Sequence, residues 1–377
     1  MKKFNLIATT TFGIEAITKK EIEKLGYKNL TVENGKVELV GGVYDIAKLN
    51  TWLRTAERVL IKMAEFEARS FEELFNNTEK INWGSLIPTN AKMHVVGKSV
   101  KSDLYSVPDC QSIVKKAIIK SMTKHHLVEE FLEDGPVYKI EVALLKDVVT
   151  LSIDTSGAGL HKRGYRVNAG AAPLKETLAA ALVMMSRWKY QQPLIDPFCG
   201  SGTILIEAAM FARNIAPGLR RSFVCEEWDG FDALIFSQVR EEAASKIFTD
   251  KKYELYGYDI DKRVLKQARS NAKAAGVGED IKFHDRDFAD FTSGFKEACL
   301  VTNPPYGERL LEDEQVRILN EKLGDLRDEF PYWGINVFTA FGGFERDFGE
   351  EASKNRKLYN GRILTRFYQY YPAVMKK

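Results

Sequence analysis

Along the first half of the chain, short apolar runs alternate with stretches of helical spacing. Residues 4–9 read as a strand, and 13–25 follow with Ile14, Ile17, Ile22 and Leu25 on one stripe and Gly26 placed to end it. Two short strand-like runs, 30–33 and 36–40, meet at Asn34-Gly35, a dipeptide that favours a tight hairpin turn. A helix over 43–53 and a strand over 59–66 complete a small α+β module. Ser70 then stands where a helix cap is needed, ahead of Phe71-Glu72-Glu73-Leu74-Phe75. Residues 92–100 predict a strand, 109–126 a long helix, and 137–145 with 148–153 a strand pair.

The second half has a different rhythm. Asp154-Thr155-Ser156-Gly157-Ala158-Gly159 is polar and glycine-rich, which marks a boundary, and a strong helix is predicted over 171–182. Leu194-Ile195-Asp196 reads as a buried strand, Pro197-Phe198-Cys199-Gly200-Ser201-Gly202 as a turn, and Thr203 onward as a helix. Ile215-Ala216-Pro217-Gly218-Leu219 and a helix over 231–248 delay the next strand, 253–258. A helix over 261–276 follows, then a strand at 281–284, another at 299–302 and a fifth at 333–340. The end folds back as a hairpin, 357–358 with 362–370, turned at Asn360-Gly361. Strands alternating with helices specify an α/β fold, an open and mostly parallel sheet.

Composition narrows the class. A chain of 377 residues is long enough for two or three domains, and 45% hydrophobic with 28% charged residues is ordinary for a globular enzyme. No apolar run approaches the roughly 20 residues that a membrane helix needs. Cys110, Cys199, Cys225 and Cys299 form no C-x-x-C pair, which fits a reducing cytoplasm and argues against structural zinc. A formal charge of only +3 announces no global attraction to nucleic acid, so any such role rests on local patches. Two patches stand out. Lys92, Lys98, Lys101, Lys115, Lys116, Lys120 and Lys124 face only Asp103 and Asp109 between residues 91 and 126, and His161-Lys162-Arg163-Gly164-Tyr165-Arg166 carries four potential cations, one ring and no acid. Either run suits an RNA backbone; the first also reads as a solvated helix face, the second as a linker packed on both domains.

Gly200 and Gly202 remove side chains where the backbone must bend tightly, and the helix from Thr203 offers unpaired N–H groups to an anionic ligand. That is a nucleotide-like cofactor site at the carboxyl end of a parallel strand. About a hundred residues later the strand at 299–302 ends in Asn303-Pro304-Pro305-Tyr306-Gly307. Two successive prolines cannot continue a central strand, so they hold an extended turn with one amide and one ring at fixed positions.

Asp-Pro-x-x-Gly-x-Gly at a strand end, paired with a later Asn-Pro-Pro-Tyr, resembles the class I methyltransferases that use S-adenosylmethionine and methylate planar nitrogens. The strand, helix, hairpin order with Lys98-Ser99-Val100-Lys101 is similar to the THUMP domain of RNA-modifying enzymes. Ala216-Pro217-Gly218-Leu219 followed by Phe223 and Trp228, together with Thr302-Asn303-Pro304-Pro305-Tyr306-Gly307-Glu308-Arg309-Leu310, resembles the THUMP-bearing 23S ribosomal RNA guanine-N2 methyltransferases. The resemblance implies a ferredoxin-like module over 1–65, a THUMP-like RNA-binding domain over 66–155, a basic linker over 156–172, and a Rossmann-like class I methyltransferase domain with a C-terminal β-hairpin over 173–377.

On this reading S-adenosylmethionine meets Asp196, Phe198, Gly200, Gly202 and Thr203 of the glycine loop, and Asp259 accepts from both ribose hydroxyls beside Ile260. Asp287 accepts from the adenine amino group while the Phe288 ring lies on the base; a local turn is the other reading of Asp287. Asn303 also borders the cofactor. The target is an exocyclic amine whose lone pair is spread into its ring, so it needs positioning more than a base. Asn303 Oδ1 and the Pro304 carbonyl each accept one N–H, Pro305 stiffens the turn, and Tyr306 stacks on the ring, with no metal required. RNA is expected on Lys98, Lys101, Lys115, Lys116 and Lys120, and on His161, Lys162, Arg163 and Arg166. The expected partner is 23S rRNA, free or in a pre-ribosomal particle. Three alternatives stay open: an adenine-N6 methyltransferase on DNA or RNA, disfavoured because little chain follows Tyr306 to read a DNA sequence; a protein glutamine-N5 methyltransferase, whose helical first domain does not match; and a non-catalytic RNA-binding assembly factor.

Overall fold

A computed structural model describes residues 2–166, 174–305 and 310–373. Strands β1 (Phe4–Thr10), β2 (Thr31–Glu33), β3 (Lys36–Gly41), β4 (Ala56–Glu67), β5 (Lys92–Val100), β6 (Val137–Leu145) and β7 (Val148–Asp154) form one sheet in the order β2-β3-β1-β4-β7-β6-β5. Strand β4 is its spine. The early residues of β4 pair with β1 and the later ones with β7, both antiparallel. The boundary expected at residue 65 therefore falls inside β4, and both N-terminal modules share one continuous sheet. Periodicity cannot reveal this, because it reports which residues face a core and not which strand lies alongside.

Helices α1 (Glu15–Lys24), α2 (Val43–Trp52), α3 (Phe71–Glu79) and α4 (Val107–His126) cover this sheet. Their ends follow local chemistry. The Ser70 hydroxyl accepts from the Glu73 N–H while Glu73 accepts from the Ser70 N–H, a reciprocal cap that fixes the start of α3. Proline at the start of α4 uses a position whose N–H has no helical partner.

The second sheet holds β8 (Leu194–Asp196), β9 (Leu255–Asp259), β10 (Ile281–Asp285), β11 (Cys299–Thr302), β12 (Gly334–Thr339), β13 (Lys354–Asn360) and β14 (Ile363–Tyr370), in the order β10-β9-β8-β11-β12-β14-β13. The first five run parallel, and the terminal hairpin closes the edge antiparallel to β12. Strand order reverses between β8 and β11, where an open α/β sheet binds its ligand. Helices α5 (Glu176–Met185), α6 (Thr203–Ala212), α8 (Lys262–Ala275), α9 (Leu310–Glu329) and α10 (Phe344–Phe348) accompany it, while α7 (Ala233–Ala244) lies in the insertion between α6 and β9. Leu182, Ile206, Leu265, Phe338 and Phe367 pack on one face; Leu323, Trp333, Phe344, Val337 and Tyr368 pack on the other.

The insertion between α6 and β9 packs outside this frame. Phe223, Trp228, Phe231, Phe236 and Val239 belong to the core of the first sheet. Trp228 stacks on Tyr138 at 4.4 Å between ring centroids and donates its indole N–H to the Val137 carbonyl at 2.9 Å. Gly218 donates to the Thr51 carbonyl at 2.9 Å, and a Cβ there would stand 2.7 Å from the Asn50 carbonyl oxygen. The Ala-Pro-Gly-Leu turn thus needs its glycine because it abuts the end of α2.

Candidate active site

Asp196, the last residue of β8, is 1% exposed. Its Oδ1 accepts from the Thr302 hydroxyl at 2.7 Å and the Phe198 N–H at 3.2 Å. Burial raises its carboxyl to about 7 against the pull of these two donors, and Asp259 adds to the rise. Thr302 ends β11, so one buried carboxylate ties the glycine turn to the turn that carries Asn303. Sequence reasoning took Thr302 only as strand; its role depends on which strand lies beside β8, which no spacing encodes.

The glycine turn is held from the next strand as well. Asp259, ending β9, accepts from the Gly200 N–H through Oδ2 at 3.0 Å and from the Asp261 N–H through Oδ1 at 2.9 Å. Each oxygen keeps a second lone pair for a ligand hydroxyl. Gly202 sits at φ +81, and a Cβ there would come within 3.1 to 3.2 Å of Phe283 and Ala268, so this glycine lets α6 close on α8 and β10. Gly200, at φ +51, faces open space, where a hypothetical Cβ meets nothing within 4 Å. Asp261, at the start of the expected helix, caps α8 through the Arg263 N–H at 2.8 Å.

Around this turn lie the other expected contacts. Ile260 is 68% exposed, an apolar side chain held in the open beside Asp259. The Phe198 and Phe288 rings meet at 4.7 Å between centroids. Asp287 is exposed and accepts from the Ala289 N–H at 2.8 Å, which gives it the local turn bond and leaves carboxylate lone pairs over. Phe288 is 6% exposed, so of the apolar groups only Ile260 stands open; that side chain, an acid for hydroxyls and an open glycine fit an adenosine-bearing donor. Asn303 Oδ1 is buried and takes no hydrogen bond from any described residue. Pro304 is buried and Pro305 exposed, and Tyr306 lies outside the described residues. A cavity of about 860 Å³ lies elsewhere, between Phe4, Tyr44, Ile87 and Phe231.

Residues 163–369 match the model of the RMKL-like methyltransferase domain, 5–60 that of the RlmL ferredoxin-like domain, and 68–154 that of the THUMP domain. YpsC of Bacillus subtilis (strain 168), provisionally named an RNA methyltransferase, is 46% identical over 99% of this chain and 97% of its own. The chain belongs to the RMKL-like methyltransferase family. A solved structure from Listeria monocytogenes (str. 4b F2365), described as a predicted N6-adenine-specific DNA methylase, shares 47% identity with a TM-score of 0.93, covering 99% of this chain and 97% of that one. SMU.472, provisionally a methyltransferase and solved with SAH, shares 42% identity with a TM-score of 0.93 over the full length of both chains.

In this methyltransferase the basic linker is mostly internal. Arg163 is 4% exposed; its guanidinium donates to the Leu160 carbonyl at 2.6 Å and the Arg54 carbonyl, and its Nε lies 3.4 Å from Glu207 Oε1. Arg166 donates to the Leu174 carbonyl at 2.6 Å and the Thr203 hydroxyl at 2.8 Å. His161 Nδ1 lies 3.4 Å from Glu57 Oε2. Burial would raise Glu57, but His161, the Thr177 hydroxyl and Lys175 outweigh it and hold the carboxyl down to about 2. Of the four cations expected on RNA, Arg163 is buried with its guanidinium turned into the fold, Arg166 and His161 are half-buried beside the partners just named, and Lys162 alone is exposed. Glu207 is the partner the sequence reading passed over. A lone acid within the apolar run Thr203–Ala212 was the available signal.

The lysine face is closer to neutral than its sequence implies. Lys98 pairs with Glu141 at 2.8 Å, Lys115 with Glu133 at 2.7 Å and Lys120 with Glu79 at 3.2 Å, while Lys124 also reaches Glu79. Lys101 and Lys116 are exposed, without an ion pair among the described residues. Among the described residues no group of three His, Cys, Asp or Glu side chains could hold a metal, and no helix is long and apolar enough to cross a membrane.

Proposed function

We propose that this methyltransferase transfers a methyl group from S-adenosylmethionine to the exocyclic N2 amine of a guanine in 23S ribosomal RNA, on RNA that is naked or only partly assembled. The observation that carries amine chemistry is Asn303 Oδ1, a buried acceptor without a donor at the carboxyl end of β11. A buried acceptor left unpaired costs about 1–3 kcal/mol, which a substrate N–H would recover. The match to a THUMP domain and the name given to YpsC support RNA as the substrate. Guanine over adenine rests on the resemblance to the 23S rRNA guanine-N2 enzymes.

When bound, the donor supplies an activated methyl group on a sulfonium, so the protein's task is placement. Asp259 and the Gly200 turn orient the donor's ribose side, with Ile260, Asp287 and Phe288 set for its adenine. Asn303 Oδ1 and the Pro304 carbonyl accept the two amine hydrogens and so aim the nitrogen lone pair along the in-line path; Tyr306 stacks on the base. The Asp196–Thr302 bond keeps the donor turn and the acceptor turn at fixed separation. After transfer the amine proton leaves to solvent.

The description of the Listeria relative favours a second reading, adenine N6, because Asn303 and Pro304 accept from either amino group. One experiment separates the two. Incubating the enzyme with labelled cofactor and protein-free rRNA, then digesting to nucleosides, is expected to yield N2-methylguanosine. N6-methyladenosine, or label confined to DNA or protein, would overturn the substrate assignment.

A further inference from the structure

The terminal hairpin concentrates the charge that the rest of the molecule balances. Between residues 352 and 373 there are five cations, Lys354, Arg356, Lys357, Arg362 and Arg366, and no acid, in a chain whose formal charge is +3. None of the five makes an ion pair among the described residues; Arg366 donates only to Asn355 Oδ1 at 3.2 Å, and Arg356 Nε is buried without a partner. The lysines of α4, by contrast, are largely matched by Glu79 and Glu133.

The arrangement costs the fold something. Lys357 and Arg366 stand directly opposite in the β13–β14 ladder, and like charges in such a pair are destabilising. Lysine on an edge strand can guard against edge-to-edge pairing, which would account for Lys354 and Lys357 on β13. It does not account for Arg366, on the inner strand β14, or Arg362, in the turn.

Register places this charge at the reaction edge. Thr302 aligns with Val337, and Val337 with Tyr368; two residues further toward the carboxyl ends of the parallel strands, Thr339 aligns with Arg366 and Arg366 with Lys357. Strands spaced about 4.8 Å apart set Arg366 about 10 Å and Lys357 about 15 Å sideways from the strand carrying Asn303. Beyond Arg366 the hairpin runs on past that level to its tip at Arg362. Ile363 and Leu364 are 49% and 46% exposed there, and Phe12, 48% exposed, meets Tyr359 edge-on at 6.2 Å. Rings beside unpaired cations suit a nucleic-acid strand. The base of the tip is fixed on the first half: Gly13, at φ +95, backs onto the Lys357 carbonyl, where a Cβ would stand 2.7 Å away.

We propose that the β13–β14 tip, through Lys357, Arg362 and Arg366, grips the phosphate backbone of the substrate RNA beside the nucleotide being methylated. This rests on the RNA reading given above. The test compares wild type with the Lys357→Gln/Arg362→Gln/Arg366→Gln variant in binding protein-free rRNA across a salt series, with cofactor affinity measured alongside. Each phosphate contact removed lowers the slope of log affinity on log salt by about 1, so the triple variant is expected to lose about 3 in slope, with unchanged cofactor affinity. Arg362→Gln alone lies in an exposed turn, cannot unfold the sheet, and is expected to lose about 1. Unchanged slopes in variants that bind cofactor normally, while wild type methylates RNA, would overturn the hairpin grip and leave the function standing. A wild type that labels DNA or protein and no RNA would remove both.

Discussion

Asp196 should make the protein less stable at neutral pH than it needs to be. Its carboxyl, 1% exposed, stands at about 7 in the folded state against 3.8 in an ordinary aspartate. Below pH 3.8 both folded and unfolded chains hold the proton, and the group is neutral toward stability. Between 3.8 and 7 the unfolded chain ionises while the folded one does not, so stability falls by about 1.4 kcal/mol per pH unit. Above 7 the deficit levels off at about 4 kcal/mol. An asparagine side chain in its place would keep an oxygen for the Thr302 hydroxyl and the Phe198 N–H without ever ionising. Asp196→Asn is therefore expected to gain about 3 kcal/mol relative to wild type as pH rises from 5 to 8, widening the gap in melting temperature by roughly 4 °C. Calorimetric melts of both proteins across that range provide the measurement. A gap that stays constant with pH would show that Asp196 is not held protonated, and the reasoning from burial would fail. A natural chain that forgoes such a gain keeps an acid for function rather than stability.

Asp259→Ala is expected to weaken S-adenosylmethionine binding by about 1.5–3 kcal/mol, read by calorimetry, since the ribose loses a charged acceptor and the Gly200 N–H its partner. Asn303→Ala should leave cofactor affinity intact while single-turnover methylation collapses, because the residue acts on the acceptor amine in the transition state; parallel loss of both would make it structural. Arg163→Met should cost about 3–5 kcal/mol in stability by leaving buried Glu207 without its cation and with only the Tyr165 hydroxyl, the salt dependence of RNA binding being unchanged; a normal melt with a shallower salt slope would return Arg163 to the RNA surface.

The parallel sheet and its hairpin were legible because strand, glycine turn and helix each leave a local trace: Asp196 to Thr203, Asp259 before its capped helix, Asn303 after its strand. The cap at Asp261 and the turns at Asn34-Gly35 and Asn360-Gly361 are likewise decided within four residues. What the sequence hid is non-local. A run such as His161 to Arg166 looks the same whether its arginines face solvent or a carbonyl, and only the fold shows Arg163 against Glu207, 44 residues away. The lysines of α4 looked unbalanced because Glu79 and Glu133 lie outside the window in which charge was counted. The hairpin's cations were in plain view, but strand pairing was needed to set Lys357 opposite Arg366.

The ties between the two halves bear on how a target could be chosen. Arg163 with the Arg54 carbonyl, Thr177 with Glu57, Gly218 with Thr51 and Trp228 with Tyr138 are buried or tightly packed, and the insertion's aromatic residues complete the first core. An interface built this way resists the hinge motion that loosely joined domains show. Arg166, in the linker that joins the halves, reaches the first residue of the cofactor helix itself, so the joint abuts the donor site. On the reading proposed here, RNA held by the first half and by the hairpin tip meets Asn303 at a separation the fold has already set. Selection would then come from which RNA shape spans that separation with an exposed amine at its end, and base-edge hydrogen bonds need contribute little. That accounts for an acceptor set, Asn303 and Pro304, that by itself distinguishes guanine from adenine so poorly.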